Sequence, residues 1–189
     1  MALQQDRFHV VVDGVRAGPY ARFPVGISTP VFSRDSRHWA AVVEDNYVNF
    51  LVLDGKEGPR YDSTKDVLVV DAVEDKRYEG FSQPIFSPDS RRLAYAARRG
   101  EKWRAVIGGV EGPGYGSFAL GSLFSPDSRH VAFLAQRDDK KYVIVVDGGE
   151  SQAYDDYAGE GELVFDGPDL LRAVMIRNGE GLRVEIGIR

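Results

Sequence analysis

One phrase recurs through the chain at nearly constant spacing, and no other feature restricts the fold so strongly. Its clearest form is Pro84-Ile85-Phe86-Ser87-Pro88-Asp89-Ser90-Arg91-Arg92-Leu93-Ala94-Tyr95-Ala96. An earlier copy runs from Pro30 to Val42, a later one from Leu123 to Phe133, and a worn copy from Val164 to Val174. Phe32, Phe86, Phe124 and Phe165 mark the four copies, at intervals of 54, 38 and 41 residues. Each clear copy is followed by a second phrase: an apolar run, a turn, and a tyrosine. Examples are Phe50-Leu51-Val52-Leu53-Asp54-Gly55 with Tyr61, Trp103 to Gly109 with Tyr115, and Tyr142 to Gly148 with Tyr154.

A repeat of about 40 residues containing four short strands is the period of a propeller blade. The runs are rich in Val, Ile, Phe and Tyr, while Asp-Gly, Gly-Pro and Pro-Asp-Ser separate them, so strand and turn chemistry alternate. Within a module, strand A ends at Phe-Ser, B is the Leu93-to-Ala97 type of run, C the Val143-to-Asp147 type, and D carries the tyrosine. Strand C is apolar at successive positions, which asks for cover on both faces. Radial stacking of such sheets gives that cover and leaves only short edges. The expected fold is all-β, a single β-propeller domain over residues 1–189, with four blades preferred and five as the alternative.

The two ends of the chain suggest how such a ring closes. Phe8 to Arg22 reads as a C/D half with no A/B before it, and the Phe165 copy has A, B and a C-like Leu182 to Ile186 with no D. The terminal strands are therefore expected to share the closing blade. The surplus Asp62 to Phe81 contains another C/D-like phrase and leaves open a fifth blade, a projecting hairpin, or a ring completed by a second copy of the chain.

On the Phe-Ser-Pro-Asp-Ser phrases and the apolar strands that follow them, the chain resembles the TolB-type, WD40-like propeller repeat from Phe8 to Ile188. The resemblance implies a β-propeller that acts as a binding module or accompanies a catalytic domain. Ser36, Ser90 and Ser128 stand where that repeat usually has glycine.

Composition removes several functions. The net charge is −5 and no basic stripe runs through the chain, which disfavours nucleic acid. No cysteine is present, so disulfides and thiol chemistry are excluded. No apolar run reaches the roughly 18 residues that would span a membrane. The N-terminal residues do not read as a signal peptide, and cytoplasmic residence is the simplest expectation.

Asp35, Asp89 and Asp127 recur in equivalent turns and are expected to hold hairpins through backbone amides. The repeated Tyr20, Tyr61 and Tyr115 are expected to pack between blades with their hydroxyls tied to backbone. His9, His38 and His130 show no metal-ligand spacing, no nucleophile elbow is present, and no cofactor is called for. The repeats differ most in the B-to-C and D-to-A loops, which share one face, and variable loops on a rigid ring are where recognition is built. In the B-to-C loops the candidates for contact with a protein or peptide partner are Asp45, Tyr47, Arg98, Arg99, Trp103, Arg137, Asp139 and Lys140. The expected function is a non-catalytic binding scaffold, with self-association open. The alternative is a propeller for a small molecule or glycan, or a hydrolase-type enzyme using Asp45, Asp139 and Glu162 around a central channel.

Overall fold

The structure is a computed structural model that describes residues 7–24, 30–45, 48–57, 78, 80–158 and 163–188. Every regular element among them is a strand. An N-terminal hairpin joins β1 (Phe8–Val12) to β2 (Val15–Tyr20), and four antiparallel meanders follow in chain order. The first is β3 (Val31–Phe32), β4 (Trp39–Asp45), β5 (Val48–Leu53) and β6 (Lys56–Glu57). In the second, β7 (Gly80–Phe81) and β8 (Ile85–Phe86) both pair with β9 (Leu93–Arg99), which continues into β10 (Lys102–Ile107) and β11 (Val110–Tyr115). The third is β12 (Ser117–Phe124), β13 (Val131–Gln136), β14 (Tyr142–Val146) and β15 (Gly149–Glu150). In the fourth, β16 (Asp156–Tyr157) and β17 (Val164–Phe165) pair with β18 (Leu170–Arg177), followed by β19 (Glu180–Gly187).

Successive meanders pack face to face, which makes them the blades of a β-propeller. The period of two along a strand decides which neighbour each side chain meets. On β4, Ala40 and Val42 face the second meander, joining Leu93, Tyr95 and Ala97, while Trp39, Ala41 and Val43 face the N-terminal hairpin. On β13, Phe133 and Ala135 meet Ala105 and Tyr115 of the second meander, while Ala132 and Leu134 meet Leu171, Ala173 and Met175 of the fourth. Fully burying each large apolar side chain is worth about 1.5–3 kcal/mol. Alternate alanines let the sheets approach closely and give the continuous apolar runs expected of strands covered on both faces.

The C-to-D turns follow from their residues. Asp13-Gly14, Asp54-Gly55 and Asp147-Gly148 all have positive φ at both positions, the backbone of a two-residue hairpin whose twist matches its strands. The same geometry recurs in the B-to-C turn Asn178-Gly179.

Closure differs from the sequence expectation. Among the described residues β1 pairs with β2 alone and β19 with β18 alone, so the terminal strands do not share a blade. The hairpin's apolar face is covered by the first meander, where Val10, Ala17 and Tyr20 pack against Trp39, Val43, Phe50 and Val52. Of the surplus segment, residues 62–77 and 79 lie outside the described residues, and the choice between four and five blades falls on them. Its last residues are described, with Tyr78 buried and Phe81 in β7 pairing with Ala97.

Candidate functional site

The A-to-B and C-to-D turns share one face of the stack. In each of the first three meanders the aspartate of the A-to-B turn caps that turn. Asp35, Asp89 and Asp127 accept hydrogen bonds from the hydroxyls of Ser33, Ser87 and Ser125 at 2.7, 2.5 and 2.7 Å. Each also accepts from the backbone N–H of Arg37, Arg91 or Arg129 at 3.1 Å. These bonds, the serine hydroxyl first and the arginine amide second, hold all three carboxyls below the usual carboxylate range. Their role is the structural one read from the sequence.

Ser36, Ser90 and Ser128 adopt φ of 58°, 64° and 66°, a left-handed backbone that glycine takes more readily. For two of them the structure shows what the side chain does. Ser90 Oγ accepts a hydrogen bond from Asp35 N at 3.1 Å, and Ser128 Oγ accepts from Asp89 N at 2.8 Å. Each hydroxyl thus ties its own turn to that of the preceding meander.

On the same face the strand-B histidines find carboxylates. His38 Nδ1 lies 2.8 Å from Asp54 Oδ2, and the other oxygen of Asp54 accepts from Trp39 N at 2.8 Å. The third meander repeats the arrangement, with His130 Nδ1 2.6 Å from Asp147 Oδ2 and Val131 N donating to Asp147 Oδ1 at 2.9 Å. The second meander departs from it: Arg92 replaces the histidine and Gly108 the aspartate. The Arg92 guanidinium reaches the next meander, lying 5.2 Å from the Phe124 ring centroid and donating to Ser128 O. A cleft of about 190 Å³ opens here between the first and second meanders, with His38, Asp54, Phe86, Arg91, Leu93 and Gly108 in its lining.

Ser90 also lines this cleft, so Ser90, His38 and Asp54 invite a hydrolytic reading. Two observations count against it. Ser90 Oγ is engaged with the Asp35 amide, and the His–Asp pair recurs at His130 and Asp147, beside a fourth-meander turn that contains no serine. A pair that repeats with the fold belongs to the fold.

The opposite face carries the B-to-C hairpins and most of the residues singled out from the sequence. Arg98 and Arg99 are exposed at the end of β9, with Arg99 Nη2 3.3 Å from Glu111 Oε2. Trp103 is half-buried over Gly80, its ring 3.4 Å from where a Cβ would stand. Arg137, Asp139 and Lys140 come together in the loop between β13 and β14, and Asp138 of that loop pairs with Lys102 of the preceding meander. A cleft of about 300 Å³ lies between this loop, Glu150, and Pro113-Gly114-Tyr115. Asp45 ends β4 at the B-to-C hairpin of the first meander, but it is buried and ion-paired with Arg7 and so is not presented to a partner. Tyr47 and Glu162 lie outside the described residues.

Tyr115 borders the 300 Å³ cleft from beneath. Its ring packs on Phe118 and Phe133 at 5.9 Å, as expected of an inter-blade tyrosine, and its hydroxyl donates to Glu150 Oε1 at 3.0 Å rather than to backbone. Burial first, and the bond to Glu150 second, push its hydroxyl pKa up to about 12. Among the described residues no three carboxylate or imidazole groups converge as a metal site.

No family model matches the chain, and no curated protein matches it. Solved structures are similar in backbone. One is a protein of Bacteroides uniformis ATCC 8492 provisionally described as a 6-phosphogluconolactonase, 15% identical with a TM-score of 0.43, matched over 96% of this chain and 65% of that one. The present chain thus spans less than two thirds of that protein's length.

Proposed function

We propose that this chain is a non-catalytic β-propeller binding module of the TolB-like kind, which takes a protein or peptide segment on its B-to-C hairpin face. The supporting observation is the state of Arg137. Its guanidinium nitrogens lie 3.9 Å from Asp139 and from Glu150, beyond hydrogen-bond reach, and its side chain is 45% exposed. The fork of N–H donors is held over the 300 Å³ cleft by electrostatic attraction while remaining open to carbonyl or carboxylate acceptors. Asp138, Asp139 and Glu150 supply acceptors beside it. An extended peptide offers both kinds of group in alternation, which fits a cleft of this polarity. Arg98, Arg99 and Trp103 extend the same surface toward the second meander.

The test is an immobilised peptide array probed with the intact protein and with Arg137→Ala, Arg99→Ala and Arg91→Gln variants. Peptides retained by the parent, lost with Arg137→Ala, weakened with Arg99→Ala and kept with Arg91→Gln support the reading. Retention that Arg137→Ala leaves unchanged, or an array that stays blank, overturns it.

A further inference from the structure

The three meanders that carry the Phe-Ser phrase supply an internal control for one another. In the first and third, a carboxylate sits against the first backbone amide of strand B: Asp54 on Trp39 N at 2.8 Å, Asp147 on Val131 N at 2.9 Å. The second meander has the same backbone at this place. Gly108 N donates to Leu93 O at 2.9 Å, as Asp54 N does to Trp39 O and Asp147 N to Val131 O at 3.0 Å. Gly108 has φ 55°, against 50° for Asp54 and 51° for Asp147. What is missing is the carboxylate, since glycine has no side chain. Among the described residues no side chain takes the corresponding place on the Leu93 amide.

That place borders the cleft of about 190 Å³, whose lining includes Leu93, Gly108 and Gly109. Nothing lies within 4 Å of where a Cβ would stand on Gly109, and the nearest atom to that of Gly108 is Arg92 Cγ at 4.0 Å. A cation faces the same space. Arg91 is exposed, lines the cleft, and among the described residues its guanidinium makes no ion pair or hydrogen bond. Leu53, Phe86, Leu93 and Tyr95 make the apolar part of the lining, with the His38 ring stacked on Phe86 at 6.5 Å, while Ser90 and Arg92, which also line it, are engaged with the Asp35 amide and with Ser128 O. The one acidic group in the lining, Asp54, is engaged with His38 and Trp39 N.

We propose that this cleft is a binding site for a small aromatic monocarboxylate, whose carboxylate takes the place that Asp54 and Asp147 fill in the neighbouring meanders. The Leu93 amide and the Arg91 guanidinium donate to the carboxylate, and the ring lies on Phe86, Leu53 and Tyr95. A hydrogen bond between a charged and a neutral group, formed where water is partly excluded, gives such a site its preference for an acid over the matching alcohol. The volume suits one ring. The site lies on the opposite face from Arg137, so it stands or falls independently of the peptide reading.

The experiment is a titration of the uniformly 15N-labelled protein with benzoate, followed by the backbone amide resonances, with benzyl alcohol and inorganic phosphate as separate probes. Benzoate is expected to shift the Leu93 and Gly109 amides saturably, and the other two probes are not. Gly108→Asp places a tethered carboxylate in the site at a φ that aspartate already adopts at Asp54 and Asp147, so the fold persists and the benzoate response disappears. Arg91→Gln weakens benzoate by about tenfold, and Arg137→Ala leaves it unchanged. Absence of a saturable shift at Leu93, an equal response to benzyl alcohol, or an unaltered response in Gly108→Asp overturns the proposal.

Discussion

The hydroxyl of Ser90 accepts a hydrogen bond from the backbone amide of Asp35, 55 residues earlier in the chain and in the adjacent blade. Ser128 repeats the bond onto Asp89, so two consecutive blade junctions are tied by a serine in a left-handed backbone conformation. Two effects oppose each other at these positions. Left-handed backbone costs a non-glycine residue of order 1 kcal/mol, and a hydrogen bond to a part-buried amide returns about 1 kcal/mol while sparing that amide from being unsatisfied. Ser128→Ala keeps the strain and loses the bond, whereas Ser128→Gly loses both. Urea unfolding should therefore show Ser128→Ala destabilised by about 1–2 kcal/mol and Ser128→Gly by less. A Ser128→Ala variant as stable as the parent would mean that the inter-blade bond contributes nothing, and equal stability of the two variants that the left-handed backbone costs nothing here.

The aspartates of these turns set a pH dependence whose sign follows from their depressed pKa values. Asp35, Asp89 and Asp127 are held below the ordinary carboxylate value by serine hydroxyls and backbone amides. A group whose folded pKa lies below its unfolded one stabilises the fold above the unfolded value, about pH 4, and that contribution is lost as pH falls toward the folded value. The urea midpoint should thus decline on acidification below about pH 4. Asp127→Asn should show a shallower decline than the parent; an identical decline would remove Asp127 from the linkage.

Core substitutions should report the double-sided packing of the blades. Leu134 is fully buried in β13 and packs with Ile144, Tyr154 and Leu171 across the junction to the fourth meander. Leu134→Ala removes apolar contact and leaves a cavity between two sheets, at a cost of about 2–5 kcal/mol. Val174→Ala, on the outward and 47% exposed side of β18, should change stability by no more than about 0.5 kcal/mol. Denaturant unfolding of both variants tests whether burial follows the strand alternation described above.

The strands were legible because burial on both faces leaves a mark in the sequence: β9 as far as Ala97 and β13 as far as Ala135 read as unbroken apolar runs with alanines among them. The hairpins were legible because Asp-Gly satisfies a backbone requirement that few other pairs can. Contacts made across blades were harder to read. Asp45 has the look of a loop residue, yet it ends a fully buried strand and pairs with Arg7, a partner that no local pattern announces. The serines at three turn positions were visible, but the reason for Ser90 and Ser128 was not, since each of their bonds joins turns that are distant in the chain. The cleft did leave a trace. His38 goes with Asp54 and His130 with Asp147, while Arg92 goes with Gly108, a paired change at two positions that marks them as neighbours.

That paired change also predicts how the third blade answers to losing its carboxylate. Asp147 holds His130 on one oxygen and the Val131 amide on the other, and Val131 is 2% exposed, so water cannot readily replace the acceptor. Asp147→Ala leaves the amide without its partner and should cost about 1–3 kcal/mol. Asp147→Asn keeps an acceptor oxygen and should cost less. Asp147→Gly reproduces the second blade's sequence at the turn and relieves the positive φ of 51°, so its cost should fall between the two. Chemical denaturation ranks the three. In the glycine variant, added acetate should restore part of the loss while chloride at equal ionic strength does not, because a free carboxylate can occupy the place that the side chain has left. Recovery that is the same in both salts would mean that the amide does not select a carboxylate, and would weaken the argument for the cleft beside Leu93 as well.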